Sequence, residues 1–262
     1  MNDTIALFGI AIAIGAAVRS TWSPCGQSML SQITPVAEAG RNQRYARTAC
    51  WFIVGAVAGG LTLGAAAAAL AVIVAALDLS HNAAIVISAL CAFTAAAIDS
   101  RVLGFGPPFV RRQVNENWLS RYRPWVYGSG FGWQIGTGLV TYVMTAAVPL
   151  IIVFAALSAS PSAAMGLALL FGFTRGLAVL LSAPLRSQSD LYGFHRRFTR
   201  ASEPVRRAVI GVQLAVATWG AWIAAPVAIA VTVTAGTTAL AIWMSARSTR
   251  DAERANVPAT IS

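Results

Sequence analysis

The sequence predicts an all-α protein that crosses a lipid bilayer several times. Of its 262 residues, 57% are hydrophobic and only 11% are charged, whereas soluble domains carry about 25% charged residues. The mean hydropathy is +0.66, and the apolar residues fall into long runs separated by polar loops. A water-soluble globule of this length could not bury so much apolar surface. The composition therefore excludes a disordered chain and a disulfide-stapled secreted domain, and it favours a polytopic integral membrane protein.

Six apolar runs predict the core transmembrane helices, since a span needs about 20 residues. The predicted segments are 4–36, 46–77, 83–98, 127–157, 162–185 and the first part of 208–244. As one helix the last run would be about 55 Å long, which exceeds a hydrocarbon core of about 30 Å. Because Pro226 lies in its middle, we expect two spans that turn near Ala225-Pro226, and 227–244 becomes a seventh, C-terminal span. One long kinked helix is the alternative.

The basic residues are all arginines, 19 in number, and they alternate along the chain. The five connections between the core spans hold three, none, five, none and six arginines in order. Basic residues are enriched in cytoplasmic loops, so this alternation predicts cytoplasmic arginine-rich loops and an N-terminus outside. The net charge is +10, but the arginines do not form one patch along the sequence. The expected partner is therefore the lipid bilayer and not a nucleic acid.

Two similar segments indicate an internal inverted repeat of the kind found in membrane transporters. The runs 22–27 (WSPCGQ) and 133–138 (WQIGTG) each place a tryptophan ahead of a Gly- or Pro-bearing stretch in a long apolar segment. Three spans separate the two runs, so they would cross the membrane in opposite directions. The expected divisions are one transmembrane domain at 1–245 with repeats at about 4–101 and about 127–225, and a short tail at 246–262. Two ordinary glycine-rich helices are the alternative.

Polar residues accompany both predicted breaks. A proline or glycine beside polar residues breaks a helix, and the freed backbone groups need partners that lipid cannot supply. We therefore expect the residues near the two breaks to line one cavity halfway through the membrane. The predicted lining residues are Ser23, Pro24, Gln27, Gly136, Thr137 and Thr141.

Two arginines fall inside predicted spans and not in loops. Arg19 lies in the first segment, and Arg175 lies within the apolar run 169–181. A charge in a span is costly and is by default a functional hypothesis, and it is expected to face the protein interior and to find a partner there. Asp99 is a candidate partner for Arg175. Snorkelling of the side chain towards the membrane surface is the alternative.

The cysteines are three, Cys25, Cys50 and Cys91, an odd number that does not indicate a disulfide framework. Cys25 is the candidate catalytic residue, a redox thiol, because the helix that restarts after Pro24 offers its N-terminus to the sulfur, a position that favours a reactive thiolate. Cys50 and Cys91 are expected to be packing residues, although a Cys25–Cys91 pair is geometrically conceivable. No histidine–cysteine cluster has metal-ligand spacing, so neither a metal nor another cofactor is predicted.

The Ser-Pro-Cys at 23–25 in the first span, together with the predicted topology, resembles the CcdA family of thiol–disulfide transporters, whose larger relative is the membrane core of DsbD. The resemblance implies a bacterial inner-membrane protein of six helices in two inverted halves. It also implies a role in cytochrome c biogenesis, with a thioredoxin-like or other thiol protein as partner. The approach to the family's second Pro-Cys is similar here, at 130–133 (GFGW), but Ile135-Gly136 stands where that pair is expected. A single thiol cannot complete the dithiol cycle of the family.

Three functions follow as alternatives from the sequence. The first is transfer of reducing equivalents by thiol–disulfide exchange at Cys25. The second is transport of a small solute, metal or anion through the predicted cavity, with Cys25, Gln27, Thr137 and Arg175 in its lining. The third is a non-catalytic membrane scaffold. The missing second cysteine weakens the first, and the Ser-Pro-Cys at 23–25 weakens the third.

Overall fold

The computed structural model describes residues 3–107 and 121–256, and every regular element in these two ranges is a helix. The helices are α1 (Asp3–Ser20), α2 (Pro24–Gln32), α3 (Pro35–Gly40), α4 (Tyr45–Ala76), α5 (His81–Ser100), α6 (Pro124–Thr137), α7 (Ala147–Leu157), α8 (Pro161–Leu177, continued by a 3-10 turn over Ala178–Ser182), α9 (Gln188–Ala224) and α10 (Val227–Asn256). Residues 108–120 in the connection between the third and fourth predicted spans, and the end of the predicted tail at 257–262, lie outside the described residues.

The predicted class, an all-α polytopic membrane protein, is confirmed. In the described part of the chain, five helices are long and apolar enough to cross a bilayer: α4, α5, α8 with its 3-10 turn, α9 and the portion of α10 up to Arg247. The bent pair of α1 and α2 makes a sixth candidate when it is counted as one span. The chain therefore crosses the membrane repeatedly.

The first break, between α1 and α2, forms where the sequence predicts it. The two helices meet at an angle of 65°. The Ser23 hydroxyl accepts a hydrogen bond of 3.2 Å from the Gly26 amide, and Pro24 occupies the first turn, so α2 has a standard N-cap. At 1.5 Å per residue α1 supplies about 27 Å of helix before the break, and the depth of the break in the bilayer stays a prediction.

The predicted fourth span, 127–157, is interrupted at the second predicted break and does not form one continuous transmembrane helix. Helix α6 ends at Thr137, where Gly138 adopts a left-handed conformation with φ of 70°, and regular helix resumes only with α7. At 11 residues, α7 extends about 17 Å, too short to cross a bilayer. The intervening backbone finds a partner inside the protein, because the Ala146 amide and the Thr145 hydroxyl both donate to the Asp99 carboxylate.

The last apolar run forms two helices that meet at Ala225-Pro226. The Trp222 indole donates to the Thr234 hydroxyl at 2.9 Å, and the Thr218 and Thr237 hydroxyls lie 3.2 Å apart. These pairs are nested about the turn, so α10 runs back antiparallel to α9. The chain turns at the predicted proline and does not continue as one kinked helix. Within α9, Pro204 lies about midway along its 37 residues.

The centre of the protein is an unusually close packing of α4 against α6 and α8. A Cβ atom added at Gly132 would overlap the Phe52 carbonyl oxygen, and one at Gly55 would overlap the Ser129 carbonyl oxygen. The side of α4 that meets α8 is similar, since a Cβ at Gly172 would lie 2.5 Å from the Ala56 oxygen. Small residues permit this backbone approach, which gives helices in lipid their van der Waals contact.

Candidate functional site at the first break

Cys25 lies one residue after Pro24, in the first turn of α2, and its side chain is buried with 3% exposure. It packs in an apolar cluster with residues of α2, α4, α6 and α9: Met29, Leu30, Ala49, Phe52, Tyr127, Phe131, Ile135 and Phe198. The backbone turns tightly at this point, because a Cβ on Gly26 would overlap the Thr21 carbonyl oxygen. The break thus holds the thiol at a helix N-terminus inside the protein.

Arg175, the second predicted site residue, lies beside this thiol. Its side chain is 2% exposed, and its guanidinium interacts electrostatically with Cys25. Nη2 donates to the Ser20 carbonyl oxygen at 3.3 Å, at the last residue of α1. Within the described residues, Nη1 has no hydrogen-bond partner, and neither does the Ser20 hydroxyl. A buried cation with an unused donor therefore faces the break.

The expected pairing of Arg175 with Asp99 is wrong. The Asp99 carboxylate is occupied by three donors: the Thr145 hydroxyl at 2.5 Å, the Ala146 amide at 2.7 Å and the Gln213 amide nitrogen at 2.9 Å. Gln213 and Thr145 belong to parts of the chain far apart in sequence, so no local pattern could have indicated this grouping. Asp99 holds the second break in place, and Arg175 belongs to the first.

One face of the first half of α9 covers the first break. His195 Nε2 and the Ser31 hydroxyl share a hydrogen bond of 3.0 Å. The Phe198 ring stacks on Trp22 with 4.3 Å between centroids, and the Trp22 indole donates to the Phe198 carbonyl oxygen at 2.6 Å. One turn further, the Ser202 hydroxyl accepts from Arg19 at 3.4 Å. His195, Phe198 and Ser202 have the spacing of residues on one helix face. This face of α9 covers the side of the break that holds Cys25.

A buried glutamate near the site was missed by the sequence analysis. Glu38, fully buried, accepts from the Thr48 hydroxyl at 2.6 Å and from the Tyr127 hydroxyl at 2.8 Å, and it pairs with Arg41 at 2.8 Å. These contacts join α3, α4 and α6. The only sequence signal was an acidic residue just after the first apolar segment, and its partners are not readable from spacing.

The remaining predicted lining residues are distributed over both breaks. Ser23 and Pro24 form the cap beside Cys25, whereas Gln27 is exposed and donates to the Trp22 carbonyl oxygen at 3.0 Å. Three others lie at or just beyond the end of α6: Gly136, Thr137 and Thr141. A Cβ on Gly136 would overlap the Ala56 oxygen, so this position is in backbone contact with α4. A cavity shared by all six residues stays a prediction.

The three cysteines occupy different surroundings. Cys50 is exposed on α4, and Cys91 is partly buried and packs on a cluster separate from that of Cys25. All three are thiols. The conceivable Cys25–Cys91 pair is not formed.

Comparison with known proteins finds two similar sequences of one kind. The chain is 29% identical over 194 residues to the methylamine utilization protein MauF of Methylophilus methylotrophus, an alignment that covers 72% of this chain and 68% of that protein. It is 28% identical over 171 residues to the methylamine utilization protein MauF of Paracoccus versutus, with coverage of 65% and 62%. No family model and no solved structure matches the chain. The similarity is therefore to MauF proteins, and the resemblance to CcdA and DsbD stays a prediction.

Proposed function

We propose that this chain is an integral membrane protein of methylamine utilization in which Cys25 exchanges disulfides with a partner thiol protein. The first part of the proposal is supported by the similarity to the two MauF proteins. The second part is carried by one observation: the buried Arg175 guanidinium donates to the Ser20 carbonyl oxygen, at the break where Cys25 begins α2.

Cys25 has two neighbouring features that are also found around reactive thiols in other proteins. The thiolate is the attacking form, and a helix N-terminus and a neighbouring cation both favour it. Cys25 has the first turn of α2 on one side and Arg175 on the other. The unused Nη1 donor of Arg175 leaves one hydrogen bond for a sulfur or for an incoming group.

The proposed exchange balances with two partner proteins. The Cys25 thiolate attacks the disulfide of an oxidised partner, so a mixed disulfide forms and one partner sulfur leaves as a thiolate that takes up a proton. A thiolate of a reduced dithiol partner then attacks the Cys25 sulfur and releases the first partner as a dithiol. The remaining thiol of the second partner closes its own disulfide and releases Cys25. Two electrons thus pass from the second partner to the first, and the chain needs no second cysteine of its own.

Access to Cys25 requires movement of the covering half of α9. With 3% exposure the sulfur cannot be reached as it stands. The contacts of His195, Phe198 and Ser202 with α1 and α2 are few and polar or aromatic, so a docking partner can displace them without unfolding a transmembrane helix.

The similarity to two bacterial proteins supports a bacterial inner-membrane location, and the arginine distribution supports cytoplasmic arginine-rich loops. In this orientation the first break and the start of α9 lie at the cytoplasmic side, and a thioredoxin-like partner would approach from there. A reporter fused at Gln188 should then be cytoplasmic, and one inserted at Asn82 should be outside. The reverse result would overturn the orientation.

Complementation tests both parts of the proposal. A strain of Paracoccus versutus lacking its MauF gene should regain growth on methylamine when this chain is expressed. The Cys25→Ser variant should not restore growth, whereas the matched Cys50→Ser variant, at an exposed position, should. Immunoblots of membranes confirm equal amounts of each variant.

The two parts can fail separately. If the unaltered chain does not restore growth, the role in methylamine utilization is wrong for this chain. If Cys25→Ser restores growth as well as Cys50→Ser does, the thiol exchange is wrong. Trapping of a mixed disulfide on Cys25 in intact cells would support the exchange directly.

A further inference from the structure

A separate cavity of about 400 Å³ is lined mainly by arginines. It lies where the C-terminal ends of α1 and α5 and the stretch 243–247 of α10 meet the middle of α9, at 203–207. Its charged lining residues are Arg19, Arg101, Glu203, Arg206, Arg207 and Arg247, and Ser100, Trp243 and Met244 complete the wall. Five cations and one carboxylate give the lining a formal charge of +4.

The single carboxylate of the lining is already committed to two of these arginines. Glu203 accepts from Arg206 at 2.7 Å and from Arg207 at 2.9 Å. The nearby Asp99 carboxylate interacts electrostatically with Arg19, but its oxygens are taken by the three donors at the second break. The positive charge at the cavity is thus not balanced by the described acidic residues.

The other three arginines have donors to spare. Arg19 is 7% exposed, and its one hydrogen bond among the described residues is the 3.4 Å contact with Ser202. Arg101 donates through Nη2 to the Pro107 carbonyl oxygen at 3.2 Å. Arg247 lies over the Trp243 ring at 5.2 Å from its centroid. Each guanidinium carries five N–H donors, so most of them remain available to a ligand.

We propose that this cavity binds the phosphate group of an anionic ligand. Guanidinium groups bind phosphate oxygens in a bidentate manner, and several converging arginines raise affinity and selectivity over monovalent anions. The volume accommodates a phosphate with part of its substituent. Two sources offer this chemistry, the headgroup of an anionic phospholipid and a free phosphate compound. A lipid headgroup is one of them because the predicted orientation places this end of the helical bundle at the cytoplasmic membrane surface. The proposal does not depend on Cys25.

Binding is tested on the purified full chain with two probes. Inorganic phosphate is titrated in detergent at constant ionic strength against chloride, and the melting temperature is followed. Phosphatidylglycerol and phosphatidylcholine are compared by native mass spectrometry after reconstitution in mixed nanodiscs. We expect the protein to bind at least one phosphate probe. The Arg247→Gln variant should weaken that binding about tenfold, which corresponds to about 1.4 kcal/mol, because one charged hydrogen-bond donor group is lost.

The matched control is Arg200→Gln, which removes the same charge from an exposed position of α9 outside the cavity. Arg19→Gln is a second test variant. If the buried Arg19 proves necessary for folding, the Arg247→Gln variant still tests the proposal. Retention of phosphatidylglycerol alone identifies a lipid headgroup site, and a response to inorganic phosphate identifies a site for a free anion; both support the proposal. Equal binding by Arg247→Gln and Arg200→Gln, or no phosphate-dependent effect in the unaltered chain, overturns it.

Discussion

The two breaks in the helical bundle differ in how completely their charges are satisfied. At the second break, between α6 and α7, the Asp99 carboxylate receives three hydrogen bonds from groups around it. At the first break, between α1 and α2, the Arg175 guanidinium makes one bond to a backbone oxygen and keeps an unused buried donor. Two neutral atoms at the second break, the Thr141 hydroxyl and the Gln213 Oε1, have no partner among the described residues, so the difference concerns the charged groups. An unsatisfied buried charge is costly and needs another explanation. We therefore expect a stabilising role for Asp99 and a chemical role for Arg175.

The largest expected effect is on stability, at the second break. Replacing Asp99 by asparagine should lower the free energy of unfolding by about 2–3 kcal/mol, because an amide nitrogen would face donors that now bind a carboxylate. The matched change Asp78→Asn, at an exposed turn, should alter it little. Thermal unfolding in detergent measures both. Equal stability of the two variants would remove the structural role of Asp99.

At the first break the largest effect concerns the tight turn. The Gly26→Ala variant should lose about 1–3 kcal/mol, because the new Cβ would overlap the Thr21 carbonyl oxygen and the neighbouring backbone must shift. Gly211→Ala is the control, since nothing lies within 4 Å of a Cβ there; it should be neutral or slightly stabilising. Chemical unfolding compares them. A Gly26→Ala protein as stable as the control would mean that the turn tolerates a side chain.

Chemistry at the first break is tested by the reactivity of Cys25. In a chain with Cys50 and Cys91 replaced by alanine, Arg175→Gln should slow alkylation of Cys25 by a membrane-permeant maleimide about fivefold, the effect of losing about 1 kcal/mol of charge interaction. The exposed Arg196→Gln serves as control. An unchanged alkylation rate in Arg175→Gln would mean that the Arg175 charge does not affect the reactivity of Cys25, and it would contradict the proposed exchange.

The smallest effect is expected where α9 covers the break. Trp22→Phe keeps an aromatic ring for the contact with Phe198 but removes the indole donor to its carbonyl oxygen. We expect a loss of about 0.5 kcal/mol from the covering contact and a two- to threefold faster alkylation of Cys25 at unchanged melting temperature. Trp219→Phe, an exposed tryptophan further along α9, should leave the rate as it is. Slower alkylation in Trp22→Phe would show that the cover does not control access.

The sequence was informative where the determinants are local. Apolar runs predicted α4, α5 and α8 to within a few residues, Ser23 and Pro24 predicted the start of α2, and Pro226 predicted the final turn. The spans depend on apolar composition, the start of α2 depends on the N-cap at Ser23, and the final turn depends on a proline, which has no amide hydrogen. They are properties of short stretches of chain.

The rest depended on contacts between distant segments. The interruption after Thr137 falls in the predicted break at 133–138. Its hydrogen-bond partner Asp99 lies 46 positions before Thr145 in sequence, and the apolar run at 127–157 does not indicate that partner. His195, Phe198 and Ser202 have the spacing of one helix face, but the sequence does not indicate that this face packs against the first break. The arginine cavity likewise gathers arginines that the sequence assigned to the first span, to two different loops and to the tail. No local pattern in the sequence indicates that they line one cavity.

Pro204 divides α9 into two parts with different attachments. The α9 contacts that cover the thiol are made by His195, Phe198 and Ser202, which precede Pro204. The α9 residues that bind Asp99 follow Pro204: Arg206 donates to the Asp99 backbone oxygen, and Gln213 donates to the Asp99 carboxylate. A proline has no amide hydrogen for the carbonyl four residues earlier, so the helix is softest at that point. A hinge at Pro204 would let the part of α9 before it move away from the Cys25 sulfur, while the part after it stays bound to Asp99. Such a motion would expose the Cys25 thiol without disturbing the packing of the transmembrane helices.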